Sequence, residues 1–206
     1  MDAAIASNLQ SVRSRIDAAA RRAGRDPSQV RLIAVSKTFD ADHVRAAWAA
    51  GQRDFGENKV QEALQKIDQT ADMEIRWHLI GHLQSNKAKV VNAICELVHS
   101  VDSESTARRL TVPALLEVNL SAEQTKSGVA PGQIAGWLER FPAIRGLMTM
   151  PPLADDPEAS RPFFRRLAEL AGEHGLAELS MGTSQDWRVA VEEGATLVRV
   201  GSTLFQ

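Results

Sequence analysis

Tyrosine is absent from this 206-residue chain, and cysteine occurs once, at Cys95. Without tyrosine there is no phenol to act as acid, base or hydrogen-bond donor. A single cysteine excludes an intrachain disulfide and fits a reducing compartment. Cys95 lies among Val91, Ile94 and Leu97, so it reads as a small buried hydrophobe, not a reactive thiol. An excess of one charge is missing too: 24 Lys and Arg against 26 Asp and Glu leave a net charge of −2. Nothing therefore marks a nucleic-acid footprint or a polybasic membrane segment. No apolar run reaches transmembrane length. Residues 2–16 are interrupted by Asp2, Asn8, Gln10, Arg13 and Arg15, unlike a secretory leader. The expectation is a soluble cytoplasmic protein with no nucleic-acid or membrane partner.

What is present is a regular alternation. The 44% hydrophobic content can fill a sizeable core, and α/β barrels of this length often form one unit. Residues 2–23 read as an amphipathic helix, because Ile5, Leu9, Val12 and Ile16 share one face. Gly24 and Pro27 stop it. Apolar runs predict strands at 32–35, 54–56, 75–80, 97–101, 114–120, 144–148, 178–181 and 197–200. Helical segments are predicted between them at 42–50, 58–68, 86–94, 104–109, 131–140, 162–173 and 185–192. Asp40 and Ser184 are N-cap candidates, and Gly51 and Gly194 helix stops. Strand–helix alternation argues for a parallel sheet with helices outside. Eight units argue for an α/β fold of one (β/α)8 TIM-type barrel with an extra N-terminal helix, a single domain over 1–206. Only "SESTARRLT" separates Val101 from Val112, so one helix is expected to be very short. "PPLADDPEAS", 151–160, suits a surface loop.

In such a barrel the active site forms at the C-terminal ends of the strands. "LIAVSKT", 32–38, ends an apolar strand on Lys37. A desolvated lysine there holds more of the neutral amine that attacks a carbonyl, the requirement for a Schiff base. A lysine snorkelling from the rim fits the same position. "LSMGTS", 179–184, places Gly182 in a turn that opens a helix, with Ser180, Thr183 and Ser184 as hydroxyl donors. That is a phosphate cradle or an ordinary capping turn. "VRVGSTLF", 198–205, ends the last strand in Gly201 and Ser202. Phosphate sites in these barrels often use the loops after strands seven and eight together. Arg199 stands between Val198 and Val200 and so turns the opposite way, into the barrel. An inward arginine needs a partner, either a carboxylate or a ligand.

Asn58 could donate to a ligand oxygen or cap a helix. His78 could give a proton, stack, or serve the core. His78 and His82 lie four apart with no acidic or cysteine partner at metal-ligand spacing, so no metal site is expected. Glu123, Lys126 and Gly128 in "SAEQTKSG" read as a polar loop over the mouth, and Trp48, Trp77, Trp137 and Trp187 as packing.

Six motifs in order, "AVSKT", "FGENKVQEA", "WHLIGHLQSNK", "EVNLSAEQTKSG", "GLMTM" and "SMGTSQDW…A…GATLVRVGSTLF", run from about residue 30 to 205. In these the chain resembles the YggS/PROSC-like family of pyridoxal phosphate homeostasis proteins, which share a fold with the barrel domain of alanine racemase. The resemblance implies pyridoxal 5′-phosphate (PLP) as cofactor, held by a Schiff base on Lys37. It implies Arg199 facing the pyridine nitrogen and Asn58 near the ring. It places the phosphate among Ser180, Gly182, Ser184, Gly201 and Ser202. Thr183 stands where the family usually has Met, and either adds a hydroxyl to the cradle or fills space; Ser202 stands where it has Thr and keeps the hydroxyl.

The resemblance also bears on activity. Alanine racemase sets its Schiff-base lysine against a tyrosine supplied through a second domain, and this chain has no tyrosine. An arginine at the pyridine nitrogen keeps it unprotonated, where strong electron sinks use a carboxylate. The expectation is therefore a carrier or buffer of PLP in vitamin B6 homeostasis, a non-enzyme, monomeric and passing PLP transiently to apo-enzymes. A weak PLP-dependent racemase is the alternative, and a cofactor-free lysine aldolase a more distant one.

Overall fold

The computed structural model describes residues 2–121 and 127–206. Glu123 and Lys126, assigned above to a loop over the mouth, lie outside the described residues.

Among the described residues, parallel strands close into a barrel in the order β1 to β8. They are β1 (Arg31–Val35), β2 (Asp54–Glu57), β3 (Arg76–Leu79), β4 (Leu97–Val101), β5 (Ala114–Glu117), β6 (Ile144–Met148), β7 (Glu178–Ser180) and β8 (Leu197–Val200). The ring shuts where β1 pairs with β8, from Arg31 opposite Leu197 to Ala34 opposite Val200. Between the strands run α2 (Ala41–Ala49), α3 (Val60–Gln69), α4 (Ala88–Ile94), α5 (Glu104–Ala107), α6 (Ile134–Arg140), α7 (Arg161–Glu173) and α8 (Trp187–Glu192). They follow α1 (Asp2–Arg22) and precede the short α9 (Ser202–Phe205). The barrel and its extra first helix are those expected from the sequence.

The first helix buries its expected stripe, Ile5, Leu9, Val12 and Ile16, extended by Ala19 and Ala20. It packs against α2, α8 and α9. Gly24 ends it with a left-handed φ of +69°. Asp40 caps α2 as expected, its Oδ1 accepting the His43 N–H at 3.1 Å. The fourth unit is irregular, as its spacing implied: α5 has four residues, and the β4–β5 register shifts between Val98 and Val101. The third and fifth strands are shorter than the apolar runs suggested. Past Glu117 the chain leaves the ladder, and Val118 bridges to Val129 instead.

Side-chain alternation divides the core into two layers. Leu32, Ala34, Val198 and Val200 face the helices within the large outer cluster. Ile33, Leu97, Leu115, Met148 and Leu197 form a separate inner cluster inside the barrel. Barrel interiors are usually filled by branched apolar layers. This one also holds buried Asp54, His78, His99, Glu117, Ser180 and Arg199. Cys95 is buried, and burial pushes its thiol up to about 12, as fits a packing residue. Trp77, Trp137 and Trp187 are likewise buried among apolar neighbours. No helix among the described residues is long and apolar enough to cross a membrane.

Candidate functional site

The strand that leads to Lys37 is clamped from below. Ser36 is fully buried, and its hydroxyl donates to Glu57 Oε1 at 2.6 Å. Lys66, from α3, donates to the Ser36 carbonyl at 2.6 Å and to Glu57 Oε1 at 2.5 Å. The next residue but one, Thr38, has φ +71°, a left-handed backbone rare for a β-branched residue. A fixed strand end followed by a sharp reversal presents Lys37 outward. The sequence left two placements open for Lys37, desolvated in the site or reaching out from the rim, and the structure shows the second. Lys37 is exposed on the wall of an open cavity. The buried lysine is Lys66, 8% exposed and paired with a Glu57 that is fully enclosed. Sequence reasoning missed both.

That cavity, about 650 Å³, opens at the C-terminal ends of the strands and is lined by Lys37, Asn58, Thr183, Ser184, Arg199, Gly201 and Ser202. Residues from β1, β2, β7 and β8 thus converge as expected. Glu117, His82, Met150 and Leu153 share the lining and were not singled out as ligand contacts. Asn58 does not cap α3, since Lys59 holds the N-cap position. Gly81 is what lets the Asn58 backbone close on β3: a Cβ there would meet the Asn58 carbonyl oxygen at 2.2 Å.

The turn after β7 is shaped by Gly182, φ +92°. A Cβ at Gly182 would meet Ala190 Cβ at 2.5 Å and Trp187 Cα at 2.8 Å. Gly182→Ala should therefore lose about 2 kcal/mol or more of stability, the left-handed penalty plus overpacking. Urea unfolding would measure it, and an unchanged midpoint would refute the close packing. Gly182 itself lines a smaller groove beside the main cavity. The Thr183 N–H and Oγ1 both reach Asp186 Oδ1, at 2.7 and 3.2 Å. Ser184 is not the N-cap of α8, which begins two residues beyond Gln185 with Asp186 before it. Ser184 Oγ instead accepts the Gly201 N–H at 3.2 Å, tying the turn after β7 to the turn after β8. The Ser184 and Ser202 hydroxyls are thus brought to one edge of the cavity.

Arg199 points inward as the alternation required, and is 5% exposed. It donates to Ser180 Oγ, to the Thr149 carbonyl at 3.4 Å and toward Met150 Sδ at 2.9 Å. Among the described residues no carboxylate lies in ion-pair contact with it, and burial lowers its pKa to about 10. Ser180, grouped with the cradle in the sequence, stands beneath it: fully buried and off the cavity wall. Its hydroxyl is engaged by Arg199 and by His99 Nδ1 at 2.7 Å. Glu117, across the mouth, accepts from Ser127 Oγ at 2.7 Å, while burial raises its pKa.

His78 is neither a lone histidine nor a lining residue. It is 1% exposed, with Nδ1 at 3.0 Å from His99 Nε2 and Nε2 at 3.1 Å from Asp54 Oδ1. The signal for His99 was its inward parity on β4, matching His78 on β3. Among the described residues no group of three or more His, Cys, Asp or Glu is placed to hold a metal ion.

Comparison with known proteins identifies the family and the fold. The family model for the alanine racemase N-terminal domain matches residues 7–206. A pyridoxal phosphate homeostasis protein from Pseudomonas aeruginosa is 45% identical, over 98% of this chain and 94% of its own length. One from Aquifex aeolicus is 40% identical, over 96% and 95%. The solved structure of PipY from Synechococcus elongatus with PLP bound superposes with a TM-score of 0.84 at 38% identity, covering 98% of this chain and all of that one.

Proposed function

Because the chain belongs to the pyridoxal phosphate homeostasis proteins, with an alanine racemase N-terminal-type barrel, we propose that it holds PLP in the barrel mouth through a Schiff base on Lys37 and carries or buffers it for vitamin B6 homeostasis. One observation carries this reading. An outward lysine amine and a buried guanidinium, with no carboxylate partner among the described residues, open onto the same cavity as a hydroxyl-bearing turn pair. The fit is physical. About 650 Å³ lies within the usual range for a ligand of this size, and Gly182 and Gly201 let the two turns pack closely on Trp187 and Val35 behind the cavity.

When bound, PLP supplies an aldehyde that condenses reversibly with primary amines and a ring that withdraws electrons. Lys37 would hold the group by its amine, the nucleophile such an aldehyde condenses with. Ser184 and Ser202, with the backbone at Gly201, hold the phosphate, while Gly182 and Thr183 shape the turn that presents them. Arg199, a donor only, would face the ring nitrogen and disfavour a proton there. Asn58 lies beside the ring, and Ser180 contributes only through Arg199. The site therefore binds the aldehyde without building a strong electron sink, and the absent tyrosine removes the usual second base. The protein works in the cytoplasm as a monomer and meets apo-enzymes transiently.

The test is a spectrum of the loaded protein before and after an apo-PLP enzyme is added. Loss of the band with recovery of enzyme activity is expected. Rapid deuterium exchange at the α-carbon of added amino acids would instead make it a racemase-like enzyme and overturn the carrier reading.

A further inference from the structure

Five buried polar groups from five different strands line up across the barrel interior. Asp54 begins β2, His78 and His99 follow on β3 and β4, Ser180 ends β7 and Arg199 reaches the mouth from β8. Their contacts are consecutive: Asp54 Oδ1 to His78 Nε2, His78 Nδ1 to His99 Nε2, His99 Nδ1 to Ser180 Oγ, and Ser180 Oγ to Arg199. We propose that Asp54, His78 and His99 form one oriented hydrogen-bond chain that acts through Ser180 to hold Arg199 as a fixed donor at the mouth. His78 and His99 are then positioning residues for the ring that Arg199 meets, a consequence that rests on the PLP reading above.

The direction of the chain follows from its ends. Asp54 takes a two-pronged contact from Arg76, at 2.9 and 2.7 Å. Arg76 and His78 outweigh its burial and hold its carboxyl well below the usual range. Ionised, Asp54 only accepts, so His78 donates through Nε2. At the other end Arg199 only donates, so Ser180 Oγ accepts from it and turns its own hydrogen to His99 Nδ1. His99 then carries its proton on Nε2 and gives it to His78 Nδ1. Every polar atom in the column has one partner of the right kind, with both imidazoles neutral. The reverse direction would make His78 a cation and leave the fully buried Ser180 hydroxyl without an acceptor, a costly arrangement.

The surrounding charges favour a neutral His99 as well, while the Asp54 carboxylate faces His78 alone of the two. Arg76 and Arg31 stand at the Asp54 end. Arg199 stands at the mouth, where Glu117 and Asp186 attract it from a distance. Burial first, and then His78, Arg199 and Arg31, hold the His99 pKa well below its usual value. Arg199 also has no ion-pair partner among the described residues; its Nη2 rests on the Thr149 carbonyl and Met150 Sδ, and the column holds its Nη1 through Ser180.

Two measurements test this. Nitrogen-15 NMR of histidine-labelled protein, without PLP, should show His78 and His99 neutral and protonated at Nε2 across the neutral pH range. A His99 protonated at Nδ1, or at both nitrogens, overturns the chain. PLP titration of His99→Leu should weaken binding by about tenfold or more, the loss expected for a charge-assisted contact left unsupported. It should also displace the pH profile of the bound spectrum. His99→Asn keeps an acceptor for Ser180 and should restore most of both. Equal affinity and an equal profile in His99→Leu refute the positioning role. Should His99→Leu fail to fold, the NMR result on the unaltered protein decides. If unaltered protein binds no PLP, the functional reading falls while the NMR result still judges the chain.

Discussion

Lys37→Ala protein, incubated with PLP and freed of excess, is expected to show none of the absorbance near the visible edge that the unaltered protein acquires. Borohydride should fix a pyridoxyl adduct to the unaltered chain and none to the variant. The effect is all-or-none because, among the described residues, Lys37 is the lysine that lines the cavity. The buried Lys66 is held under the Ser36 carbonyl and against Glu57. Non-covalent binding through the hydroxyl cradle and Arg199 should survive, so phosphate-bearing analogues without an aldehyde should bind both proteins alike. A retained band in Lys37→Ala, or an adduct mapped to another lysine, would sink the Schiff-base assignment.

The second large effect belongs to Lys66 itself. Lys66→Met leaves Glu57 fully enclosed with only the Ser36 hydroxyl as partner; Glu57 Oε2 already has none among the described residues. Stranding a buried charge in this way costs about 3–5 kcal/mol. The loss should appear as a lowered urea midpoint with the slope unchanged. Adding Glu57→Gln to Lys66→Met removes the stranded charge and should return most of the stability. A midpoint for Lys66→Met within about 0.5 kcal/mol of the original, the range of ordinary surface substitutions, would refute the clamp. The single variant should also loosen the placement of Lys37, because the carbonyl that Lys66 anchors belongs to the residue before it.

Much of this was legible in the chain itself. Strand–helix alternation and the Ile5, Leu9, Val12 and Ile16 stripe gave the barrel and its first helix because periodicity records which face is buried. The meeting of the two turns at the mouth was legible because their residues are consecutive: Gly182, Thr183 and Ser184 in one, Gly201 and Ser202 in the other. Parity along β8 turned Arg199 inward correctly. What stayed hidden is pairwise and remote. Lys66 and Glu57 are nine residues apart on different elements, and on a helix surface Lys66 reads as one more solvated cation. His78 and His99 are 21 apart, and only strand register makes them neighbours. Ser180 shares a motif with the cradle yet falls one turn of parity away, so adjacency in sequence misassigned it. Capping misled in the same way: Ser184 has the right chemistry for an N-cap, but Gly201 brings a competing N–H to it.

Trp187 packs directly against Gly182 in the turn beneath the cavity. With no tyrosine in the chain, near-ultraviolet emission comes from four tryptophans alone. The indole under the cradle is therefore a built-in optical gauge: a chromophore seated above it would drain its excited state by energy transfer. Occupancy of the mouth can be followed by quenching of the protein's own light, with no label attached and nothing in the site altered.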